Sequence, residues 1–224
     1  MKRLHILYTL LFIWLLPVTS NGQPAGKEKL RVISYNIWNG FEHDASRRAN
    51  FINWIKGQQP DILAMTELVG FTEKDLGQLA SEYGHKYYAI VKEEGYPVGI
   101  TSNEPITVVK KQMEGFWHGM LHVKTHGLNM IVTHLSPHDW KFRLKEAQML
   151  TSYIQDNQLD NCMVMGDFNA YSPFDADWVE THAQLIENMQ KWDAEQEAYR
   201  NMRDGRFDYS VLSKFLSIGL PDIC

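Results

Sequence analysis

The chain has 224 residues, of which 44% are hydrophobic and 22% charged, with 7 Trp, 10 Tyr and 10 Phe. That is enough apolar material for one sizeable core, which excludes disordered, collagen-like and linker proteins, and two cysteines exclude a disulfide scaffold or a four-thiolate zinc site. The formal net charge of −5, from 22 basic and 27 acidic residues, gives no electrostatic argument for nucleic acid.

The first element is a leader. Met1-Lys2-Arg3 precedes an apolar run from Leu4 to Leu16, followed by Pro17 and the small or polar Val18-Thr19-Ser20-Asn21-Gly22. This pattern is that of a secretory signal peptide, and the run is shorter than the roughly 20 residues needed to span a bilayer. The expected organisation is a signal peptide over 1–22 and one domain over 23–224. The mature chain is expected to be secreted or periplasmic, monomeric and without a stable membrane anchor. Cleavage removes Lys2 and Arg3, leaving 20 basic against 27 acidic residues, so the net charge becomes 20 − 27 = −7.

Leu30 to Ile37 is rich in β-branched and aromatic residues and predicts a strand. Asp44 or Ser46 caps a predicted helix that runs to about Gln58, where Pro60 follows. Asp61 to Glu67 is nearly continuous in apolar residues, which predicts a strand buried on both faces. Thr72 to Tyr83 predicts a helix opened by a capping box between Thr72 and Asp75. Short β-rich runs follow at Tyr87 to Val91, Val98 to Thr101, Ile106 to Lys110, Met120 to Lys124 and Leu128 to Thr133, with His126-Gly127 as a hairpin turn. Pro137-His138-Asp139 opens a helix from Trp140 to Asp156, on which Arg143 and Lys145 read as solvated. Asn161 to Gly166 predicts another buried strand. From Trp178 to Met202, and again from Tyr209 to Leu216, the pattern is helical. Alternating strands and helices imply a layered α/β architecture.

Polar residues stand at the strand ends. Asn36 closes the first strand, Glu67 the second and His134 the hairpin strand, while Asp167 and Asn169 follow the fourth. In α/β sheets such ends converge on the crevice where ligands bind. Two carboxylates and amides aimed at one crevice call for a cation, and the oxygen-rich set suits Mg²⁺ rather than zinc.

Ser34-Tyr35-Asn36-Ile37-Trp38, Thr66-Glu67-Leu68, Gly99-Ile100-Thr101-Ser102, Thr133-His134-Leu135 and Gly166-Asp167-Phe168-Asn169-Ala170 occur in this order. Together they resemble the endonuclease/exonuclease/phosphatase superfamily, which includes the DNase I-like and sphingomyelinase-like phosphoesterases. The resemblance is strong from Leu30 to Ala170. It implies an α/β (α+β) four-layer sandwich, with two facing mixed sheets and helices outside. It also implies phosphoester hydrolysis that depends on Mg²⁺ or Mn²⁺. In that frame Glu67 resembles the direct metal ligand and Asn36 its neighbour. Asp167 resembles the carboxylate that activates water, and Asn169 the amide that holds the phosphoryl group or this geometry. His134 resembles the histidine that contacts phosphate and serves as an acid toward the leaving oxygen. His118 stands near where relatives place a basic substrate contact. The implied partners are a phosphoester small molecule, a phospholipid headgroup or nucleic acid.

Family members close with an Arg-Ile-Asp-Tyr strand and a Ser-Asp-His element. Neither is present, and Arg206-Phe207-Asp208-Tyr209 reads as a coincidence of letters. The expectation is therefore a C-terminally truncated sequence whose last strands are missing. The alternative expectation is a non-catalytic binding module that keeps the fold without the terminal Asp-His pair.

Overall fold

The computed structural model describes residues 29–196 and 198–223, so the leader over 1–22 and Cys224 lie outside the described residues. Eight strands form two four-stranded sheets. In the first, β1 (Val32–Asn36) runs parallel to β2 (Ile62–Thr66), which pairs antiparallel with β4 (Gly99–Ser102), and β4 with β3 (Tyr87–Ile90). In the second, β5 (Thr107–Gln112), β6 (Met120–Thr125) and β7 (Leu128–His134) form an antiparallel meander, and β8 (Cys162–Asp167) adds parallel to β7.

The two sheets pack face to face. Ile62, Ala64, Ala89, Val98 and Ile100 of the first meet Leu121, Val123, Met130, Val132 and Met165 of the second. On the outer face of the first sheet, α2 (Ala45–Gln58) and α3 (Glu73–Glu82) bury Phe51, Ile52, Ile55, Leu76 and Leu79 against Leu63 and Met65. On the outer face of the second, α4 (Trp140–Asp156) and α7 (Ser210–Leu216) bury Ala147, Leu150, Ile154, Val211 and Phe215 against Met120 and Ile131. This gives the expected layering: helices, sheet, sheet, helices.

The local signals explain why these elements form. All five residues of β2 are buried, as its unbroken apolar run predicts. Asp44 caps α2 by accepting the Ser46 N–H at 2.8 Å. The capping box of α3 is present in both directions, Thr72 Oγ1 accepting from Asp75 N and Asp75 Oδ2 from Thr72 N. His126 and Gly127 both take positive φ, 51° and 73°, which suits the tight turn between β6 and β7.

Three expectations are corrected. The helix predicted through Met202 stops earlier: a 3-10 turn at Pro173–Asp175, α5 (Ala176–Glu180) and α6 (Ala183–Glu195) are followed by a small hairpin of β9 (Met202–Arg203) and β10 (Arg206–Phe207). Its turn is Asp204-Gly205, both at positive φ, and Met202 and Phe207 pack with Val179 in a satellite cluster. The strand β8 is only half-buried, because it lies at the edge of its sheet and pairs with β7 alone. Arg143 is not solvated: it is 2% exposed. A short turn, α1 (Trp38–Phe41), joins β1 to α2 and has left-handed dihedrals. Among the described residues no helix is long and apolar enough to cross a membrane.

Candidate active site

Both parallel pairs run the same way, so the carboxyl ends of β1, β2, β7 and β8 meet at one end of the sandwich. Register sets the neighbours: Asn36 pairs with Thr66, one residue before Glu67, and His134 pairs with Asp167. Asn36 then joins the two sheets. Its Nδ2 donates to Glu67 Oε1 at 2.9 Å and to Asp167 Oδ2 at 3.0 Å. Its Oδ1 accepts from the Trp38 N–H at 2.8 Å, which fixes the amide orientation. Asn36, Glu67, His134, Asp167 and Asn169 are thus brought into one constellation.

Glu67 is held tightly by backbone groups. Oε2 accepts the Asn39 N–H at 2.8 Å, and the Glu67 carbonyl accepts from Gly40 N at 2.8 Å. These donors come from a run in which Trp38, Asn39, Gly40, Phe41, Glu42 and His43 all have φ between 49° and 65°. A left-handed turn costs about 1–2 kcal/mol for each residue with a Cβ, so surrounding contacts must impose it. Gly40 has no alternative residue type here, since a Cβ would lie 2.1 Å from the Val69 carbonyl oxygen.

Asp167 ends β8 after Gly166, whose φ is 130° and whose missing Cβ would lie 1.8 Å from Thr133 O. Only glycine lets β8 come this close to β7. Asp167 Oδ1 accepts the Asn169 N–H at 2.9 Å, and the Asn169 Nδ2 donates to Leu135 O at 2.9 Å. Asn169 therefore ties the loop after β8 to the loop after β7.

His134 Nε2 lies 3.9 Å from Asp167 Oδ2, while its buried Nδ1 has no hydrogen-bond partner. Burial pushes the imidazole below its ordinary value, against the opposing pull of the Asp167 and Glu67 carboxylates. His118 stacks on it, with ring centroids 4.4 Å apart and planes at 28°. Burial, and then the neighbouring His134, Lys92 and His138, push His118 down to about 3. The two rings form a stacked pair in which burial favours the neutral form of each. An aromatic rim continues outward: Trp117 sits edge-on to His138 at 4.5 Å, and His138 stacks on Tyr199 at 4.7 Å.

Sequence reasoning missed two residues. Glu146 is fully buried, its Oε1 accepting the Trp117 N–H and its Oε2 the Ser136 N–H, each at 2.8 Å. Arg143 donates from Nη1 to Ser136 O at 3.0 Å and from Nη2 to Asn201 Oδ1 at 3.1 Å. A signal existed: Arg143 and Glu146 fall at helical spacing with the buried Ala147, Leu150 and Ile154, on the stripe that faces the core.

A cleft of about 870 Å³ opens beside the constellation, lined by Asn36, Asp167, Asn169, Arg143, Tyr171 and Trp192 among others. Among the described residues no three His, Cys, Asp or Glu side chains converge closely enough to cage an ion. The oxygen donor available to an ion is the Glu67 carboxylate, with the Asn36 amide at its side and the Asp167 carboxylate beyond that amide. That set fits a hard divalent ion that keeps most of its own waters, and does not fit zinc.

Two facing mixed sheets with strand-end carboxylates define a class that the comparisons identify. The model of the Endonuclease/Exonuclease/phosphatase family matches residues 33–215, and the chain belongs to that family. Among solved structures it is similar to an AP endonuclease from Archaeoglobus fulgidus, at 21% identity and a TM-score of 0.57, over 85% of this chain and 71% of that one. It is also similar to a variant of the 3′ phosphatase NExo from Neisseria, bound to a product DNA hairpin, at 17% identity and a TM-score of 0.54, over 73% and 71% of the two chains. At these identities the likeness is one of fold. No curated protein sequence matches the chain.

Proposed function

We propose that this protein is an exported phosphoester hydrolase that uses a divalent metal ion, Mg²⁺ or Mn²⁺. The observation that carries the reading is the Asn36 amide bonded at once to Glu67 and Asp167, with His134 beside Asp167. Membership of a family of phosphoesterases and nucleases supports it.

Glu67, with Asn36 at its side, would hold the ion. A bound divalent ion neutralises charge on phosphate oxygens and keeps positions open for them. Asp167 is half-exposed, so water reaches it, and it orients and deprotonates the attacking water as general base. Asn36 and Asn169 fix that carboxylate through one hydrogen bond to each oxygen. Burial favours the neutral imidazole of His134, which can meet the phosphate as an N–H donor. His118 supports it from behind.

The substrate is a phosphoester carried by a small molecule, a phospholipid headgroup or nucleic acid. A net charge of −7 in the mature chain gives no electrostatic footprint for long duplex DNA, and a contact confined to the cleft is compatible with it. Export rests on the basic, apolar and small-residue pattern of residues 1–22, and N-terminal sequencing of material from the culture medium or periplasm tests it.

The decisive experiment compares wild type with Glu67→Ala and Asp167→Ala on a bis-aryl phosphate, with Mg²⁺ and with EDTA. Asp167→Ala should lower kcat by about 10²–10⁴-fold, the range for removing a positioned acid–base group. Glu67→Ala should lower kcat by weakening the hold on the ion, and EDTA should abolish turnover. Full activity in either variant removes the mechanism. A wild type with no activity toward any mono- or diester supports the binding-module reading instead.

A further inference from the structure

The stacked imidazoles pose a placement problem. His134 has no hydrogen bond at Nδ1, and its approach to Asp167 at 3.9 Å is too long to fix the ring. His118 is surrounded by rings, stacked on His134 with Tyr96 tilted against it at 5.4 Å. Ring contacts are short-ranged and tolerate sliding, so the positions of both imidazoles follow from their backbones. His118 lies in the segment before β6, while His134 is the last residue of β7, paired with Asp167 of β8, and the chain leaves the strand directly after it.

One side chain ties these two segments together. Glu146 accepts the N–H of Trp117, adjacent to His118, and the N–H of Ser136, two residues after His134. Both bonds are 2.8 Å, the length of charge-assisted hydrogen bonds. Ser136 is gripped on its other side as well, because Arg143 donates to its carbonyl. The charged pair sits one helical turn apart on α4, inside the layer that covers the second sheet.

We propose that Glu146 is a positioning residue: its single carboxylate locks the His118 segment to the turn that leaves β7 just after His134 and so fixes the imidazole stack beside Asp167. The clamp needs both oxygens as acceptors. A carboxamide of the same shape offers one acceptor and turns an N–H toward an N–H, which releases one loop. Only the activity readout rests on the phosphoesterase reading; the geometry does not.

The test uses the full chain with Glu146→Gln, assayed on a bis-aryl phosphate with Mg²⁺, alongside NMR of the His118 and His134 imidazoles in ¹⁵N-labelled protein. Loss of placement should lower kcat about 10-fold to 100-fold with KM changed by less than about 2-fold, because it weakens transition-state rather than ground-state contacts. Both imidazole spectra should shift, and Glu146→Asp, too short to reach both loops, should not rescue. Unchanged kcat, or lowered kcat with unchanged imidazole spectra, overturns the proposal. If the wild type hydrolyses nothing, the phosphoesterase reading falls, and the imidazole shifts alone decide for or against the clamp. If Glu146→Gln fails to fold, the wild type supplies the answer through its Trp117 and Ser136 amide resonances. Both should move with pH at one shared midpoint, that of the Glu146 carboxyl carbon; separate midpoints or no movement overturn the clamp. Arg143 is the titratable group that faces Glu146, and Asp208, Asp139 and Asp193 face Arg143 in turn.

Discussion

The helical layer over the first sheet and the helical layer over the second bury different chemistry. Helices α2 and α3 turn Phe51, Ile52, Ile55, Leu76, Leu79 and Ala80 inward, all of them apolar. Helix α4 turns Ala147, Leu150 and Ile154 inward, but also Arg143, Glu146 and Thr151. The reason lies in how each sheet presents its site residues. On the first sheet, Glu67 is fixed by backbone donors from its own neighbouring turn. On the second, the Trp117 peptide before β6 and the Ser136 peptide after β7 have no strand partner, and α4 supplies Glu146 and Arg143 to meet them. Buried charges are a poor source of stability, because desolvation offsets most of their attraction. A layer that keeps them is organised around placement; an all-apolar layer is organised around burial.

This contrast can be broken at its seams. The largest effect should come from Gly166→Ala, where the new Cβ meets the Thr133 carbonyl at 1.8 Å in a backbone with φ of 130°. That change forces β8 from β7, and should cost about 3 kcal/mol or more while lowering activity in step. Urea denaturation and turnover measured on one preparation give both losses, and neither helical layer is touched. Leu79→Ala comes next. Leu79 is fully buried on α3, and its truncation should cost about 2–5 kcal/mol while kcat per folded molecule stays as in wild type. A matching fall in kcat would mean that the first layer also positions the site, and the distinction drawn above would fail.

The smallest effect is a slope. Burial holds the Glu146 carboxyl at about 7, above its ordinary 4.5, while the two N–H bonds and Arg143 pull the other way. The folded state therefore binds this proton more tightly than the unfolded chain does. Its contribution to stability is full below about 4.5 and is lost as pH rises through about 7. Denaturant midpoints across that window should fall less steeply in Glu146→Gln than in wild type. Equal slopes would place the titration elsewhere.

Much of this architecture could be read from sequence because it is encoded locally. The unbroken apolar run at Ile62–Thr66, the Thr72–Asp75 capping box and the His126-Gly127 turn each carry their own physical instruction, and each forms as written. The strand-end polar residues were legible because strands end where apolar patterning stops, and their convergence follows from parallel pairing. Other features depend on partners distant in sequence. Arg143 reads as a solvated residue until the Ser136 carbonyl and Asn201 are seen around it. The hairpin at Met202–Phe207 is too short for periodicity to reveal, and only its Asp204-Gly205 turn announces it. The reduced burial of β8 was not legible at all, because Met163 and Val164 have the same apolar character whether a strand is central or at an edge.

The turn from Trp38 to His43 bears on whether this site can be transplanted. Its six residues share a handedness that five of them, having Cβ atoms, disfavour when taken alone. A peptide cut from residues 36–43 would relax toward the opposite hand and carry the Asn39 N–H away from any acceptor. The asparagine and the glutamate are therefore not a portable pair. A designer grafting them onto another scaffold would have to bring the end of β2 along, since the Glu67 side chain and carbonyl accept the Asn39 and Gly40 N–H groups of the wrong-handed turn.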